Sequence, residues 1–566
     1  MKKIIFSAIA CILITAANAQ AWGTTGNAGT TPPTNFLGTT DAKNLVFKVN
    51  SQQAGIIDIS NSNTGFGRYV LSSNSSGYNN TGTGSGALWY NNTGYNNSAF
   101  GILTLYQNTT GAANSAFGYN TLQNNTNGDG NTGLGNAALS SNTTGSFNTS
   151  SGYTSLYSNT IGSFNSAYGY NALYSNTYGS NNAAFGPITL YNNVFGFSNV
   201  ALGAAALYNN IAGHNMVAVG DSALYNQTTN TNGFYNNTAV GSKALYNNAV
   251  GHSNTGVGHQ ALRDNYDGEY NTSLGMESLL TNSSGSGNTA VGAGAMVGNV
   301  SGSGNTAVGA GALSSITDGI NNVAVGGNGY AHASYSTIIG TGAQANNDYC
   351  TTLGNQTTAS GYNSTAIGAN AVVGTDDWVF IGDLNIQGVE CVNGIFLTSD
   401  GRFKSNIKET VKGLEFINLL RPVVYNFDTK KLEEHSIQNF PDSMKQKRLT
   451  TARLNSFKKS SAIIQTGFIA QEVEAAAKKI GYDFNGIHKP QNPTDHYSLS
   501  YEKFVVPLVK SVQELSAEND KKDKTITDLN TKIDQMQNQI NEILLQLKKV
   551  TGSSLVKTTS TETKGL

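Results

Sequence analysis

The sequence predicts a mainly β solenoid, a parallel β-roll or β-helix of 17- then 14-residue coils, followed by a small α+β domain and a C-terminal trimeric coiled coil. Three observations point there. Glycines recur at a fixed spacing through most of the chain, composition changes abruptly near residue 397, and the last apolar residues fall in heptads. The expected organisation is a signal peptide over 1–19 and a leader over 20–62, then 17-residue repeats over 63–326 and 14-residue repeats over 327–396. An assembly domain over 397–510, a coiled coil over 511–550 and a polar tail over 551–566 complete it.

The repeat carries the fold prediction. Asn97-Ser98-Ala99-Phe100-Gly101 returns as Asn114-Ser115-Ala116-Phe117-Gly118 and as Asn305-Thr306-Ala307-Val308-Gly309. From Gly67 to Gly326 the closing glycines recur at a 17-residue interval, stretched once by four around Thr228 to Asn232. A leucine follows four residues later, as at Leu71, Leu88, Leu105, Leu122 and Leu139, with Met296 as an exception. A second glycine column (Gly77, Gly94, Gly111, Gly128, Gly145) follows ten residues after the first. Past Gly326 the interval drops to 14, at Gly340, Gly354, Gly368 and Gly382. A fixed period of this kind is the signature of stacked units.

Gly, Asn and Thr are poor inside helices, and Gly and Asn accept the positive φ of tight turns. A 17-residue coil is therefore expected to hold two short strands and two turns, with both glycine columns at the turns. The Val or Phe before the first glycine and the Leu after it would line the inside. Columns of Asn and Thr would bond to the coil above and below. One thin coil offsets little of its ordering entropy, so packing three chains side by side is the expected remedy. The alternating run Asn44 to Val49 and Ile56-Ile57-Asp58-Ile59 read as a strand pair capping the array.

Composition bounds the function. Charged residues are 12% of the chain, about half the usual share. Between Tyr69 and Gly326 the only charges are Asp129, Asp221, Lys243, Arg263, Asp264, Asp267, Glu269, Glu277 and Asp318. A neutral surface of that length argues against nucleic acid or an anionic membrane as partner. Lys2-Lys3, the apolar run Ile4 to Ala16 and Ala17-Asn18-Ala19 make a secretory signal. No later stretch is apolar enough to span a membrane, so the chain is expected to be exported, extracellular or on the cell surface.

After the border, Ile407 to Leu420 has helical apolar spacing ending at Arg421-Pro422, and Val423 to Phe427 reads as a strand. Residues 428–460 are lysine-rich and read as an exposed insertion. Thr466 to Glu474 runs from strand into helix, and Leu499 to Phe504 opens a helix continuing to about Leu547. In it Ile526, Ile533, Ile540 and Leu547 hold one heptad position and Leu529, Met536 and Ile543 the other. Isoleucine at both positions favours trimers.

These residues carry a resemblance. Ser399-Asp400-Gly401-Arg402-Phe403-Lys404, Leu414 to Pro422, Gly467-Phe468-Ile469-Ala470-Gln471-Glu472-Val473, Tyr501 and the heptads stand in the order of the C-terminal intramolecular chaperone of phage endosialidases and tail fibres. That family consists of self-cleaving serine peptidases. The resemblance, over roughly 395–548, implies that the domain trimerises, helps the preceding stalk to trimerise, and is cut off just before the serine. It places the scissile bond at Thr398–Ser399, with Ser399 as nucleophile and Lys404 as its general base; Asp400, Gln471 and Glu472 are supporting motif residues. A serine needs a base to remove its proton, and a lysine can be that base only when uncharged, a state that burial favours. Gly401 and Phe403 stand where relatives often carry arginine and leucine. Separately, the Ser364-Thr365-Ala366-Ile367-Gly368 unit resembles the head repeats of trimeric autotransporter adhesins, which implies a parallel roll in a homotrimer.

The seven histidines show no metal-ligand spacing and no cofactor is implied. Cys350 and Cys391 are expected to be buried thiols. The leading reading is a trimeric surface fibre, structural or adhesive, whose partners are its own copies and surface glycans or other host or cell-surface ligands. A glycan-degrading spike would need paired carboxylates, and Asp264, Asp267, Glu269 and Glu277 are the only acidic cluster of the shaft. A polymer- or ice-binding solenoid would use the Thr/Ser column Thr64, Thr81, Ser98, Ser115, Thr132 and Thr149, which Val200, Val217 and Val323 interrupt.

Overall fold

The computed structural model describes residues 36–228, 235–383, 386, 389, 398–440, 442–493 and 495–550. The expected signal peptide over 1–19, the start of the leader, part of the insertion at Thr228 to Asn232, Cys391 and the tail from Thr551 lie outside the described residues. The chain divides into two compact units, Met1–Tyr349 and Cys350–Leu566.

The first unit opens with Leu45–Val49 paired antiparallel to Gln52–Asp58, which pairs antiparallel with Asn63–Phe66 of the first coil. From there each coil adds one parallel three-residue strand, such as Thr81–Thr83, Ser98–Phe100 and Ser115–Phe117, in unbroken register. The single longer interval keeps that register, since Val217 pairs with Thr238. The Thr/Ser column of the sequence therefore lies in one line, Thr64 beside Thr81, Ser98, Ser115, Thr132 and Thr149.

Two expectations about the coil are corrected. A 17-residue coil holds one strand, not two. The rest is turn, yet its backbone still bonds coil to coil, as from Leu105 N–H to Thr121 O at 3.0 Å and Gln107 N–H to Gln123 O at 2.9 Å. Among the described residues a second short strand appears only in the 14-residue coils, where Tyr330–Ala331 pairs with Gln344–Ala345. The residue before the closing glycine faces outward: Phe66, Phe100, Phe117 and Val308 are exposed, while the central Ala99, Ala116 and Ala307 of each strand are fully buried. A three-residue strand sends only its middle side chain inward, and so thin a coil has room there for alanine beside the leucine.

The buried leucine sits in an unusual backbone. Leu71, Leu88, Leu105, Leu122 and Leu139 have φ between 48° and 54°, a left-handed conformation that costs an L-residue roughly 1–2 kcal/mol. Burying a leucine returns about 1.5–3 kcal/mol, so the core contact outweighs the strain. The two glycine columns differ in their reasons. Gly101 has φ 139°, which a side chain rarely adopts. Gly111 does not have positive φ; a Cβ there would meet Asn108 Oδ1 at 2.5 Å and Gly128 O at 2.6 Å.

That crowding serves two asparagine ladders. Asn97 Nδ2 donates to Asn80 Oδ1 at 3.1 Å and to Gly111 O at 2.9 Å, and its Oδ1 accepts the Asn114 backbone N–H at 3.0 Å. Asn108 Nδ2 donates to Asn91 Oδ1 at 2.7 Å and to the same Gly111 O at 2.9 Å. These two buried amides are thus satisfied by the coil before and the coil after, as buried polar groups generally are.

The second unit begins with coils of the same kind: Thr351–Leu353, Thr365–Ile367 and Val379–Ile381 are parallel, and so are Thr358–Ala359 and Val372–Val373. The buried Cys350 thiol donates to Gly361 O at 3.2 Å. Beyond them lies an α+β region. Helix α1, expected over Ile407 to Leu420, covers only Leu414–Ile417, and its first free amide, Leu414 N–H, is taken by Glu514 Oε2 at 2.8 Å. Val423–Asn426 pairs antiparallel with Ile464–Gly467.

Residues 428–460, expected to be an exposed insertion, fold as α2 (Thr429–Ser436), α3 (Asp442–Arg448) and α4 (Thr451–Ser461) and bury Ile437, Phe457, Glu433 and Arg448. Asp428 and Thr450 cap α2 and α4 by accepting the amides of Lys431 and Arg453. Helix α5 (Ala470–Lys479) packs Val473, Ala476 and Ala477 on Phe416, Phe484 and Phe504. After a 3-10 turn at Tyr501–Phe504, α6 runs from Val505 to Val550. Among the described residues no helix is long and apolar enough to cross a membrane.

Candidate functional site

The border motif forms one tight turn. Asp400 caps the 3-10 turn Gly401–Phe403: its Oδ1 accepts the Arg402 backbone N–H at 2.9 Å, and its Oδ2 accepts the Arg402 guanidinium Nη2 at 2.6 Å. The Arg402 hydrogen bonds hold the Asp400 carboxyl below the usual range, so the cap remains charged. The Lys404 N–H donates to Gly401 O at 3.2 Å and closes the turn.

This folds the chain back far enough for Lys404 Nζ to reach Ser399 Oγ at 2.7 Å. The two residues singled out as nucleophile and base are therefore in hydrogen-bond contact, directly after the Thr398–Ser399 bond. Both are exposed, as are Phe403 and Ile407, each at 78%. In this geometry the amine donates to the hydroxyl. General-base chemistry needs the reverse, a neutral amine accepting the hydroxyl proton along the same line.

The remaining motif residues build the scaffold. Glu472, in the first turn of α5, accepts the Arg421 Nε–H at 3.0 Å through Oε2, and that bond draws its carboxyl below the usual range. It thus ties α5 to the segment before Pro422. Gln471 is exposed on the same helix. The Tyr501 hydroxyl accepts the Phe468 N–H at 3.0 Å, and a Cβ at Gly467 would collide with that hydroxyl. A Cβ at Gly413 would collide likewise with the Glu514 carboxylate that caps α1.

The family model described as chaperone of endosialidase matches residues 399–482. The matched region begins at Ser399 and ends in the turn after α5. A chaperone-of-endosialidase domain behind a β-solenoid is a tail-fibre-like arrangement. A comparison with the curated proteins found no match.

Sequence reasoning found the Ser399–Lys404 pair but missed a buried cluster in the insertion. Arg448 Nε donates to Glu433 Oε1 at 2.9 Å, and Arg453 contacts both Glu433 Oε1 at 3.3 Å and Asp383 Oδ2 at 3.4 Å. The signal available was the pair of helix caps at Asp428 and Thr450, which mark this stretch as folded. Two of the four acids of the glycan-cleaving alternative, Asp264 and Glu269, have partners of their own. Asp264 is bonded by Arg263 Nε and Asn247 Nδ2, both at 2.9 Å, and Glu269 lies 3.0 Å from His252.

Proposed function

We propose that this chain is an exported, trimeric fibre, structural or adhesive, whose C-terminal domain templates the trimer and then cuts itself off at Thr398–Ser399. The observation that carries the reading is the 2.7 Å contact between Lys404 Nζ and Ser399 Oγ one bond beyond the scissile peptide. It is supported by the family match over 399–482. The exposed heptad residues of α6 add to it: Ile526, Ile533, Ile540, Leu529, Met536 and Ile543 are each about half exposed in the single chain. Three copies wound together would bury them.

The chemistry follows from the pair. Ser399 Oγ attacks the Thr398 carbonyl carbon while its proton passes to the Lys404 amine. The C–N bond breaks, the proton moves to the Ser399 nitrogen, and the shaft is held as an ester. Water hydrolyses the ester, leaving a carboxylate on Thr398 and restoring the serine. Packing of subunits over the exposed pair would exclude bulk water and favour the neutral amine, so the cut would follow assembly.

The test is a denaturing gel with N-terminal sequencing of wild type beside Ser399→Ala and Lys404→Ala. Wild type should give a fragment starting at Ser399, and both variants should stay whole. An intact wild-type chain, or equal cleavage of all three, would overturn the mechanism.

A further inference from the structure

The buried asparagine ladders have a direction. Asn97 Nδ2 donates back to Asn80 Oδ1 and Asn80 Nδ2 back to Asn63 Oδ1, both at 3.1 Å, and each Oδ1 also takes a backbone N–H from the following coil, as from Asn80 to Asn63 at 2.9 Å. A one-way chain of donors needs an acceptor at its first position, and one more asparagine there would leave its own amide hydrogens unspent. Asp58 stands at that position. Its Oδ2 accepts Asn63 Nδ2 at 3.2 Å and Asn61 Nδ2 at 3.0 Å, and its Oδ1 accepts the backbone N–H of Ser60 at 3.1 Å and of Asn61 at 3.3 Å. An ionised carboxylate only accepts, so the ladder ends there. Asp58 is the last residue of the strand Gln52–Asp58, so the ladder is closed by the leader hairpin and not by a coil.

A surface ladder of opposite sense ends the same way. Asn192 donates to Asn209, Asn209 to Asn226, Asn226 to Asn247, and Asn247 to Asp264 Oδ1. The two aspartates differ in what keeps them charged. Asp264 has the Arg263 guanidinium at 2.9 Å, whereas Asp58 is 6% exposed and held by amides alone. The titratable groups on the elements around it are Lys48 of the hairpin and Arg68, Tyr69 and Tyr78 of the first coil. Arg68 bonds Tyr69 instead, and none of the four is bonded to Asp58 among the described residues. Burial pushes the Asp58 carboxyl up, but its four hydrogen bonds together outweigh that and hold it below 3.8.

We propose that the leader hairpin is an acid-opened cap on the solenoid and that Asp58 is its latch. Protonation places a hydrogen on one oxygen in a site ringed by donors, and the amides of Asn61 and Asn63 lose an acceptor while buried. The hairpin Leu45–Asp58 then parts from Asn63–Phe66 and leaves the first coil with an open strand edge. The stabilisation from the latch is complete above pH 3.8 and is lost as the pH falls through the lower, folded value. The coils behind it lack this response, because no Asp, Glu, Lys, Arg or His lies between Tyr69 and Gly128. The proposal needs neither a trimer nor a cut, so it stands apart from the assembly reading.

The experiment is hydrogen exchange of the full chain, read by mass spectrometry in peptides over 45–66 and, as an internal reference, over 97–118. Rates are taken relative to an unfolded chain at the same pH. Between about pH 5 and about pH 2.5 the hairpin should lose at least about tenfold more protection than the reference coils. Asp58→Asn sets an NH2 against the same donors, so its hairpin should be poorly protected at both pH values with no further acid response. Because that change can disturb folding of the first coil, Asn61→Ala keeps the latch and removes one of its donors; its opening should move to higher pH, toward 3.8. Loss of protection in step with the reference coils would overturn the proposal. So would an acid response retained in Asp58→Asn or unmoved in Asn61→Ala.

Discussion

Asn97→Ala tests what holds one coil to the next. Asn97 is fully buried, and its side chain makes four bonds: to Asn80 Oδ1, to Gly111 O, and from both the backbone N–H and the Nδ2 of Asn114. Gly111 O keeps its bond from Asn108, and Asn80 Oδ1 keeps the Asn97 backbone amide. The Asn114 backbone N–H keeps nothing, because Asn97 Oδ1 is its acceptor. Three ordinary bonds at about 1 kcal/mol each, with about 1–3 kcal/mol for a buried amide left without a partner, sum to roughly 4–6 kcal/mol. A repeat array loses such energy locally, because each coil contacts only its neighbours. Hydrogen exchange at the Asn114 amide should therefore accelerate about 1000-fold, the equivalent of about 4 kcal/mol. Asn97→Asp should be at least as damaging, since it turns a carboxylate oxygen toward two acceptors. An acceleration of less than about tenfold in Asn97→Ala would refute the ladder as the main inter-coil bond and leave the backbone bonds and the leucine core in that role.

Two other perturbations follow from the same structure. Leu105 has φ 48°, so Leu105→Ile, equal in volume but β-branched, should cost about 3 kcal/mol in thermal unfolding, against less than about 1.5 kcal/mol for Leu105→Met; equal losses would mean that the left-handed backbone is unstrained. His496 has its pKa pushed below 6.5 by burial, opposed by Asp495 and reinforced by His488 and His435. The neutral ring is thus favoured in the fold, so its stabilisation is complete above pH 6.5 and is lost as the pH falls through the depressed folded value. The melting temperature of the C-terminal domain should fall over that window in wild type and fall less in His496→Gln; parallel curves would contradict this.

Much of the fold was legible in the sequence. The periods of 17 and 14 give the coil, and Asn at a fixed place in each coil predicts a ladder, because an amide can donate one way along the stack while accepting the other way. The strand Val423–Asn426, helix α5 and helix α6 carry ordinary periodic signals. The direction of side chains within a coil was not legible, because three-residue strands are too short for alternation to show. Phe100 and Val308 therefore read as core, although Ala99 and Ala307 occupy it. Nor could composition show that a leucine would take a positive φ, since that depends on burial at Leu105 outweighing backbone strain. Residues 428–460 looked exposed because lysines dominate them, whereas their fold rests on a few residues, Ile437, Phe457 and the Glu433–Arg448 pair. The Ser399–Lys404 contact was legible because both residues lie in one short turn capped by Asp400. The Arg448 bonds to Gln356 O and Asn370 O were not, because those backbone carbonyls lie 92 and 78 residues away.

The measurement closest to the central claim is the sedimentation-equilibrium mass of the Ser399→Ala chain, chosen so that the proposed cut cannot add heterogeneity. Assembly through the α6 heptads predicts a single species at three times the chain mass. Ile533→Lys with Ile540→Lys should abolish that species. A monomer at micromolar concentration would contradict the account, leaving the exposed apolar seam of α6 and the domain behind the solenoid without the assembly role assigned to them.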